Sequence, residues 1–505
     1  MSMRGYRVRL NASTALLNQI ISAICGMLIP WSMITAFGSE AYGITISAAQ
    51  FLSYISLIEG GMGRVARAEL YKPLANNETH TISKVYCAIK RFFQKIGFIF
   101  ILYALFIAVF YYDIADVSGF TRDYIFWMVL IIGIGRFAEY MGGITNITLL
   151  NADQKQYIFN IVTLTTNMIN VIIIVVAVNL GFDILWVKLF SSTIFVARPI
   201  IYTLYVRHSY TFSLKTNERI ELKNKWTGIG QHIAYYLQIN ADVFILTLFS
   251  DMKIVAVYSV YHLVLYSIKT IVLSLTGGME ALFGNMIARD EYDELRRTFE
   301  RYKLMLTAVV LILFGTAGIM ILSFVKIYTA DVTDANYSQP LFALVLMLAE
   351  AVNCLVWPCS TICISANKLR ETRMGAYLEA AINLVVSVIL VLWNPLIGVA
   401  LGSLASVLYK GIYYMNYTAK KILNASFKHM AFRFFATVIL LMCVSSIGML
   451  LIYNFEINNY FQWAVVSALT VFALAVIAMV VCVVMYPKSI REVFHGLCGI
   501  LKRRK

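Results

Sequence analysis

Apolar residues run along this chain in blocks of about 20 or more, separated by short polar segments that gather most of the charge. A helix rises 1.5 Å per residue and needs roughly 20 apolar residues to cross the hydrocarbon of a bilayer. On that criterion the pattern predicts about fourteen crossings. Six fall near 13–37, 41–62, 96–115, 122–149, 157–179 and 184–206. Six more fall near 227–250, 254–283, 303–325, 340–365, 374–393 and 396–415, and two follow near 431–453 and 461–486. The fold class is therefore all-α and integral to a membrane. The first run, from Ser13 to Phe37, is too long for the core of a signal peptide and reads as the first membrane helix.

Composition agrees. Of 505 residues 60% are hydrophobic and 14% charged, with a mean hydropathy of +0.74. A soluble fold of this make-up lacks the polar surface to cover itself, which excludes a cytosolic enzyme, a secreted disulfide scaffold and a disordered regulator. The net charge of +15 would point to nucleic acid in a soluble protein. Here the basic residues sit in alternate loops instead, so no nucleic-acid partner is expected. Arg4, Arg7 and Arg9, then 64–95, 207–225, 289–303, 368–373, 420–433 and the tail Lys502 to Lys505 lie on one side. The other side carries little beyond Arg122, Lys253 and Lys326. By the positive-inside rule both termini are cytoplasmic. The stretch Lys84 to Lys95 mixes aromatic and basic residues at helical spacing, and either lies along the headgroups or extends the third span. No outside loop has room for a folded catalytic domain. Cys354, Cys359 and Cys363 cluster without a histidine and read as small apolar residues, so no metal site is expected.

The chain also repeats itself. Gly60-Gly61-Met62 ends the second span and Gly277-Gly278-Met279 the eighth, and Tyr42-Gly43 answers to Tyr258-Ser259. Ala138-Glu139 matches Ala349-Glu350, Asn151-Ala152-Asp153 matches Ser365-Ala366-Asn367, and Ile169-Asn170-Val171 matches Ile382-Asn383-Leu384. The order and depth of these pairs predict two six-helix halves, 1–206 and 227–415, joined by a cytoplasmic linker at 207–226. Two additional helices at 431–486 and a basic tail at 487–505 complete the chain. Two parallel halves with a cavity between them are the architecture of an alternating-access transporter.

Charges inside the spans carry the chemistry. Arg136, Arg198, Lys269 and Lys410 each cost about 2.5–3.5 kcal/mol at the centre of a membrane helix, so they must meet water or partners. Facing a central cavity, they would bind an anion such as a phosphate or an acidic sugar. The alternative is that Arg136 and Glu139, three residues apart, pair privately and that Lys410 snorkels. His262, Tyr266 and Lys269 recur at i, i+4, i+7 and put a polar stripe on one face of span eight, facing either sugar hydroxyls or a neighbouring helix. Glu59, Glu139, Asp242, Glu280, Glu350 and Glu379 are the intramembrane acids, with Asp242, Glu350 and Glu139 the candidates for coupling to an ion gradient. Gly398 and Gly402 form a small-xxx-small seam, and Pro199, Pro340 and Pro358 are expected to bend their helices. No P-loop, nucleophile elbow or zinc motif occurs, so neither enzymatic catalysis nor a cofactor is expected.

The segment Ala36-Phe37-Gly38-Ser39-Glu40-Ala41-Tyr42-Gly43, followed by an apolar span and Gly60 to Arg67, resembles the first hairpin of Wzx-type polysaccharide flippases. Those belong to the multidrug/oligosaccharidyl-lipid/polysaccharide transporter superfamily. Leu149-Leu150-Asn151-Ala152-Asp153 and the helix from Asp290 to Arg301 carry the resemblance further, while the proline that many relatives have near Gly277-Gly278 is missing. The resemblance implies a MATE-like V-shaped bundle in a bacterial plasma membrane. Its implied function is export of undecaprenyl-diphosphate-linked oligosaccharide for O-antigen, capsule or exopolysaccharide, with a polysaccharide polymerase and chain-length proteins as partners. A multidrug antiporter, a lipid II flippase and, from another class, a membrane glycan polymerase or ligase are the alternatives.

Overall fold

A computed structural model describes residues 3–60, 62–117, 119–213, 216, 229–453, 455, 457–487 and 489–490. Most of the linker and the whole basic tail, with Cys498, lie outside the described residues. Among those described, helices carry almost the whole chain and no strand occurs. They are α1 (Met3–Ser53), α2 (Met62–Ala75), α3 (Thr79–Ile114), α4 (Arg122–Ala138), α5 (Ile144–Ala152), α6 (Gln156–Asn179), α7 (Ile184–Ser209) and α8 (Ile229–Phe249). Then follow α9 (Met252–Ser274), α10 (Met279–Ala288), α11 (Tyr292–Tyr328), α12 (Pro340–Ser365), α13 (Leu369–Val391), α14 (Pro395–Tyr417), α15 (Phe427–Tyr453) and α16 (Tyr460–Met485).

Twelve stretches among the described residues are long and apolar enough to cross a membrane. The first, Arg9–Glu59, holds two crossings, because α1 breaks at Gly38, whose φ of 83° only glycine adopts without strain. With α8, 21 residues long, this matches the fourteen crossings of the sequence reading. Large apolar side chains such as Leu102, Leu392, Phe461 and Phe472 stand exposed on the outer helices, as a lipid-facing surface requires.

The chain divides into two compact units, Met1–Ser259 and Val260–Lys505, the boundary falling within α9. Local geometry repeats between them. In the first unit a left-handed glycine, Gly60 (φ 58°), ends a 3-10 turn (Tyr54–Glu59) and α2 starts at Met62. In the second, Gly278 (φ 87°) follows the end of α9 and α10 starts at Met279. The missing proline is thus replaced by a glycine break. Two tight turns recur as well. Asn77 and Asp290 have φ of 56° and 57°, Gln154 and Asn367 have 58° and 55°, and each pair is 213 residues apart (77 to 290, 154 to 367). The closing hydrogen bonds match: Lys155 N–H reaches Leu150 O at 2.8 Å, and Lys368 N–H reaches Cys363 O at 2.9 Å. These bonds close helix ends around one left-handed residue.

α3 is one continuous helix of 36 residues in which Val85, Tyr86, Ile89 and Phe93 are buried. The Lys84 to Lys95 stretch is therefore an extension of the span, not a helix lying on headgroups. Pro199 and Pro358 sit inside α7 and α12. Pro340 does not bend a helix, contrary to expectation. It occupies the first turn of α12, where a missing N–H costs nothing.

The glycine seam packs as predicted. A Cβ on Gly398 would lie 2.4 Å from the Leu390 carbonyl carbon, and one on Gly402 would lie 2.0 Å from Ser387 Oγ. Gly398→Ala must push α13 and α14 apart at the backbone, and should cost about 1–3 kcal/mol. Gly63→Ala in α2 meets nothing within 4 Å and should stabilise by up to about 1 kcal/mol. Thermal unfolding of the two purified variants checks both, and equal melting temperatures would refute the packing argument.

Candidate functional site

In the first unit the intramembrane charges gather where α4 loosens. After Arg136 the helix widens into a π turn over Glu139–Gly143 before α5 continues it. Such turns arise where one extra residue is accommodated and often mark functional positions. Arg136 pairs with Glu139 at 3.2 Å, and both side chains are about one-third exposed, at 36% and 31%. The next residue, Tyr140, is buried and donates a 2.5 Å hydrogen bond to Glu59 at the end of the 3-10 turn. Arg136 is also a charge neighbour of Glu59. One arginine thus faces two carboxylates, and the private-pair alternative for Arg136 describes the geometry.

Arg198 on α7 is held differently. Its Nε donates to Thr166 Oγ1 at 2.7 Å and its NH2 to Asn167 Oδ1 at 2.5 Å, both on α6. Its guanidinium lies 4.5 Å from the Phe195 ring. Asn167 passes the chain of hydrogen bonds on to Ser22 on α1. Asp242 on α8 is buried and accepts a 2.8 Å bond from Tyr258. Around it a polar seam joins α1 to α8 through Ser47 and Thr247, at 2.6 Å, and through Tyr54, which donates to Asn240 O at 3.0 Å.

The second unit brings four predicted residues together. Lys269 pairs with Glu350 at 2.8 Å, the two side chains being 13% and 12% exposed. His262 Nε2 is 3.9 Å from the same carboxylate, and its ring stacks on Tyr266 at 5.4 Å. The polar stripe of α9 therefore faces an acid on α12. Lys410 on α14 is apart from this group and pairs with Glu379 on α13 at 3.1 Å.

The repeat links the two units' chemistry. Arg198 and Lys410 are 212 residues apart (198 to 410), and their partners Thr166 and Glu379 are 213 apart (166 to 379). The same contact is made with a neutral hydroxyl in one half and a carboxylate in the other. Asn170 and Asn383, also 213 apart (170 to 383), are both buried with the side-chain oxygen lacking a hydrogen bond.

Two basic residues escaped the sequence reading. Lys188, one turn into α7, is half-buried and has no hydrogen bond or ion pair among the described residues. Lys303 on α11 is buried, with its Nζ lacking a hydrogen bond and lying 5.9 Å from the Phe299 ring. Both stand near the ends of long apolar runs, where a lysine in sequence reads as a loop charge. Asp153, from the motif before span five, has a structural task instead. It pairs with Lys155 at 2.7 Å and Arg7 at 3.5 Å and accepts a 2.6 Å bond from Tyr210. Burial and then that carboxylate hold the Tyr210 phenol well above its usual range.

Neither a protein-family model nor a curated protein sequence matches the chain. Solved structures do. The lipid II flippase MurJ in an inward closed conformation superposes with a TM-score of 0.61 at 14% identity, over 95% of this chain and 99% of that one. The fold is that of MurJ and the MATE transporters. An inward-facing MATE multidrug transporter of the MOP superfamily matches at 0.57 and 10% identity, over 81% of this chain and 99% of its own. The MATE multidrug transporter DinF-BH matches at 0.60 and 14% identity, over 83% and 97%. Within this MATE-like membrane fold, the intramembrane charges of both units are the features that general packing does not explain.

Proposed function

We propose that the chain is a flippase carrying undecaprenyl-diphosphate-linked oligosaccharide across a bacterial plasma membrane for surface polysaccharide, with both termini cytoplasmic. The observation that supports it most is the Arg136–Glu139 pair, a cation and acid that meet at a widened turn with a third of each side chain open. A diphosphate offers Arg136 a stronger, multidentate partner than one carboxylate. Lys269, held by Glu350, is assigned the same task in the second unit, and Arg198 and Lys410 reinforce it. When the phosphate leaves, the carboxylates take the cations back, so no charge is stranded in either state. Asp242, Glu350 and Glu139 are then the groups through which a proton or another cation could drive the cycle. His262 and Tyr266 supply polar contacts for sugar. The polymerase and chain-length proteins of such a system are the proposed partners.

Transport of lipid II is the second reading, favoured by the match to MurJ over nearly all of both chains. A strain lacking this gene separates the two. Accumulated lipid-linked oligosaccharide with loss of surface glycan is the expected result. Accumulated lipid II with normal surface glycan would favour the second reading. Normal levels of both, with redundancy excluded, would overturn the flippase assignment.

A further inference from the structure

Beside α7 in the first unit, at the end where α3 begins and α7 finishes, two cavities adjoin. One, of about 430 Å³, is lined by Lys90, Arg207, Tyr86, Asn146, Thr203 and Ser213, with Met141 and Gly142. The other, of about 510 Å³, shares Met141, Gly142, Thr203 and Arg207 but is otherwise apolar, with Ile134, Phe137, Val196, Ile200 and Leu204 on its walls. Neither Lys90 nor Arg207 makes a hydrogen bond or ion pair among the described residues. Every intramembrane cation singled out from the sequence has a carboxylate or an amide for company, so these two stand out. The polar side is ordered: Tyr86 donates to Asn146 Oδ1 at 2.7 Å, and Asn146 Nδ2 donates to Thr203 Oγ1 at 2.9 Å. On the apolar side Ile134, Ile200 and Leu204 are exposed, at 38%, 54% and 59%, on helices that cross the membrane.

We infer that this composite pocket binds one anionic bilayer phospholipid, its phosphate between Lys90 and Arg207 and an acyl chain along Ile134, Phe137, Val196, Ile200 and Leu204. Charge complementarity sets the headgroup: two unpaired cations at a membrane-helix end attract a phosphate. The adjoining apolar groove sets the lipid, because a free anion would leave it bare. Size sets the class: about 430 Å³ accommodates a phosphate with a small polar substituent, but not a diphosphate bearing several sugars. The inference does not rest on the proposed substrate, since none of its residues belongs to the charge clusters described above.

The test is thermal stabilisation of the purified full chain in detergent, titrated with phosphatidylglycerol or with phosphatidylcholine of the same acyl chains. Phosphatidylglycerol is expected to raise the melting temperature saturably and phosphatidylcholine to do so far less. Lys90→Gln with Arg207→Gln should weaken the phosphatidylglycerol response by about tenfold or more, the loss expected for charged hydrogen bonds. Leu204→Trp, which fills the groove and keeps both cations, should weaken it comparably and serves if the double variant folds poorly. Equal responses to both lipids, or an unchanged response in both variants, would overturn the inference. So would saturation by inorganic phosphate alone, which marks a free-anion site, or displacement by farnesyl diphosphate at lower concentration than phosphatidylglycerol, which marks a substrate site.

Discussion

Glu350→Gln is expected to lower the stability of the purified protein by about 3–5 kcal/mol, the usual cost of stranding one member of a buried ion pair. Lys269 and Glu350 are almost equally buried and 2.8 Å apart. The amide cannot compensate the ammonium, and His262, 3.9 Å from the same carboxylate, loses its acidic neighbour too. Replacing both charges, Lys269→Met with Glu350→Met, should recover most of the loss, because an apolar pair of similar volume fills the space without desolvation cost. The cycle also separates structure from function. If the pair only holds α9 against α12, the double variant exports as wild type does. Where Lys269 binds the anionic headgroup, the double variant melts normally and fails to export. Melting curves and glycan export measured on the same four proteins decide it; an unchanged melting temperature for Glu350→Gln alone would remove the ion pair from the argument.

Much of the architecture was legible because a membrane imposes a length on every crossing and a sign on every loop. The repeat was legible for another reason. Gly-Gly-Met marks the same glycine break in both units, and the turns at Asn77 and Asp290 need the same left-handed residue. Partners were harder to read. A cation inside a span announces that something compensates it, but which helix supplies the acid depends on packing. Arg136 and Glu139 were close in sequence, so their pairing was visible. Lys269 and Glu350 are 81 residues apart (269 to 350) and meet only because α9 and α12 are neighbours. The repeat could have predicted the Lys410–Glu379 contact from Arg198 and Thr166, had the 213-residue register been fixed more tightly. Pro340 was misread because apolar blocks do not show where a helix starts, and the left-handed Gly278 replaces a proline that no pattern demanded.

Neutralising the accessible cluster tests the proposed chemistry most directly. Arg136→Gln with Glu139→Gln removes a cation and its acid together, and Lys269→Gln with Glu350→Gln does the same in the second unit. No net charge is created in either half, so the combined variant should insert and fold. Export, however, should fall by roughly a hundredfold or more, since two charge-assisted contacts to a phosphate are lost and each is worth about 1.5–3 kcal/mol. The first pair alone should account for the larger share, because Arg136 is the more exposed of the two cations, 36% against 13%. Arg136→Lys should retain part of the activity, since a lysine keeps the charge but gives up the bidentate grip. Surface glycan and lipid-linked oligosaccharide quantified in cells expressing each variant at equal level provide the measurement. Export within twofold of wild type in the combined variant would show that these cations are structural and that the headgroup is held elsewhere.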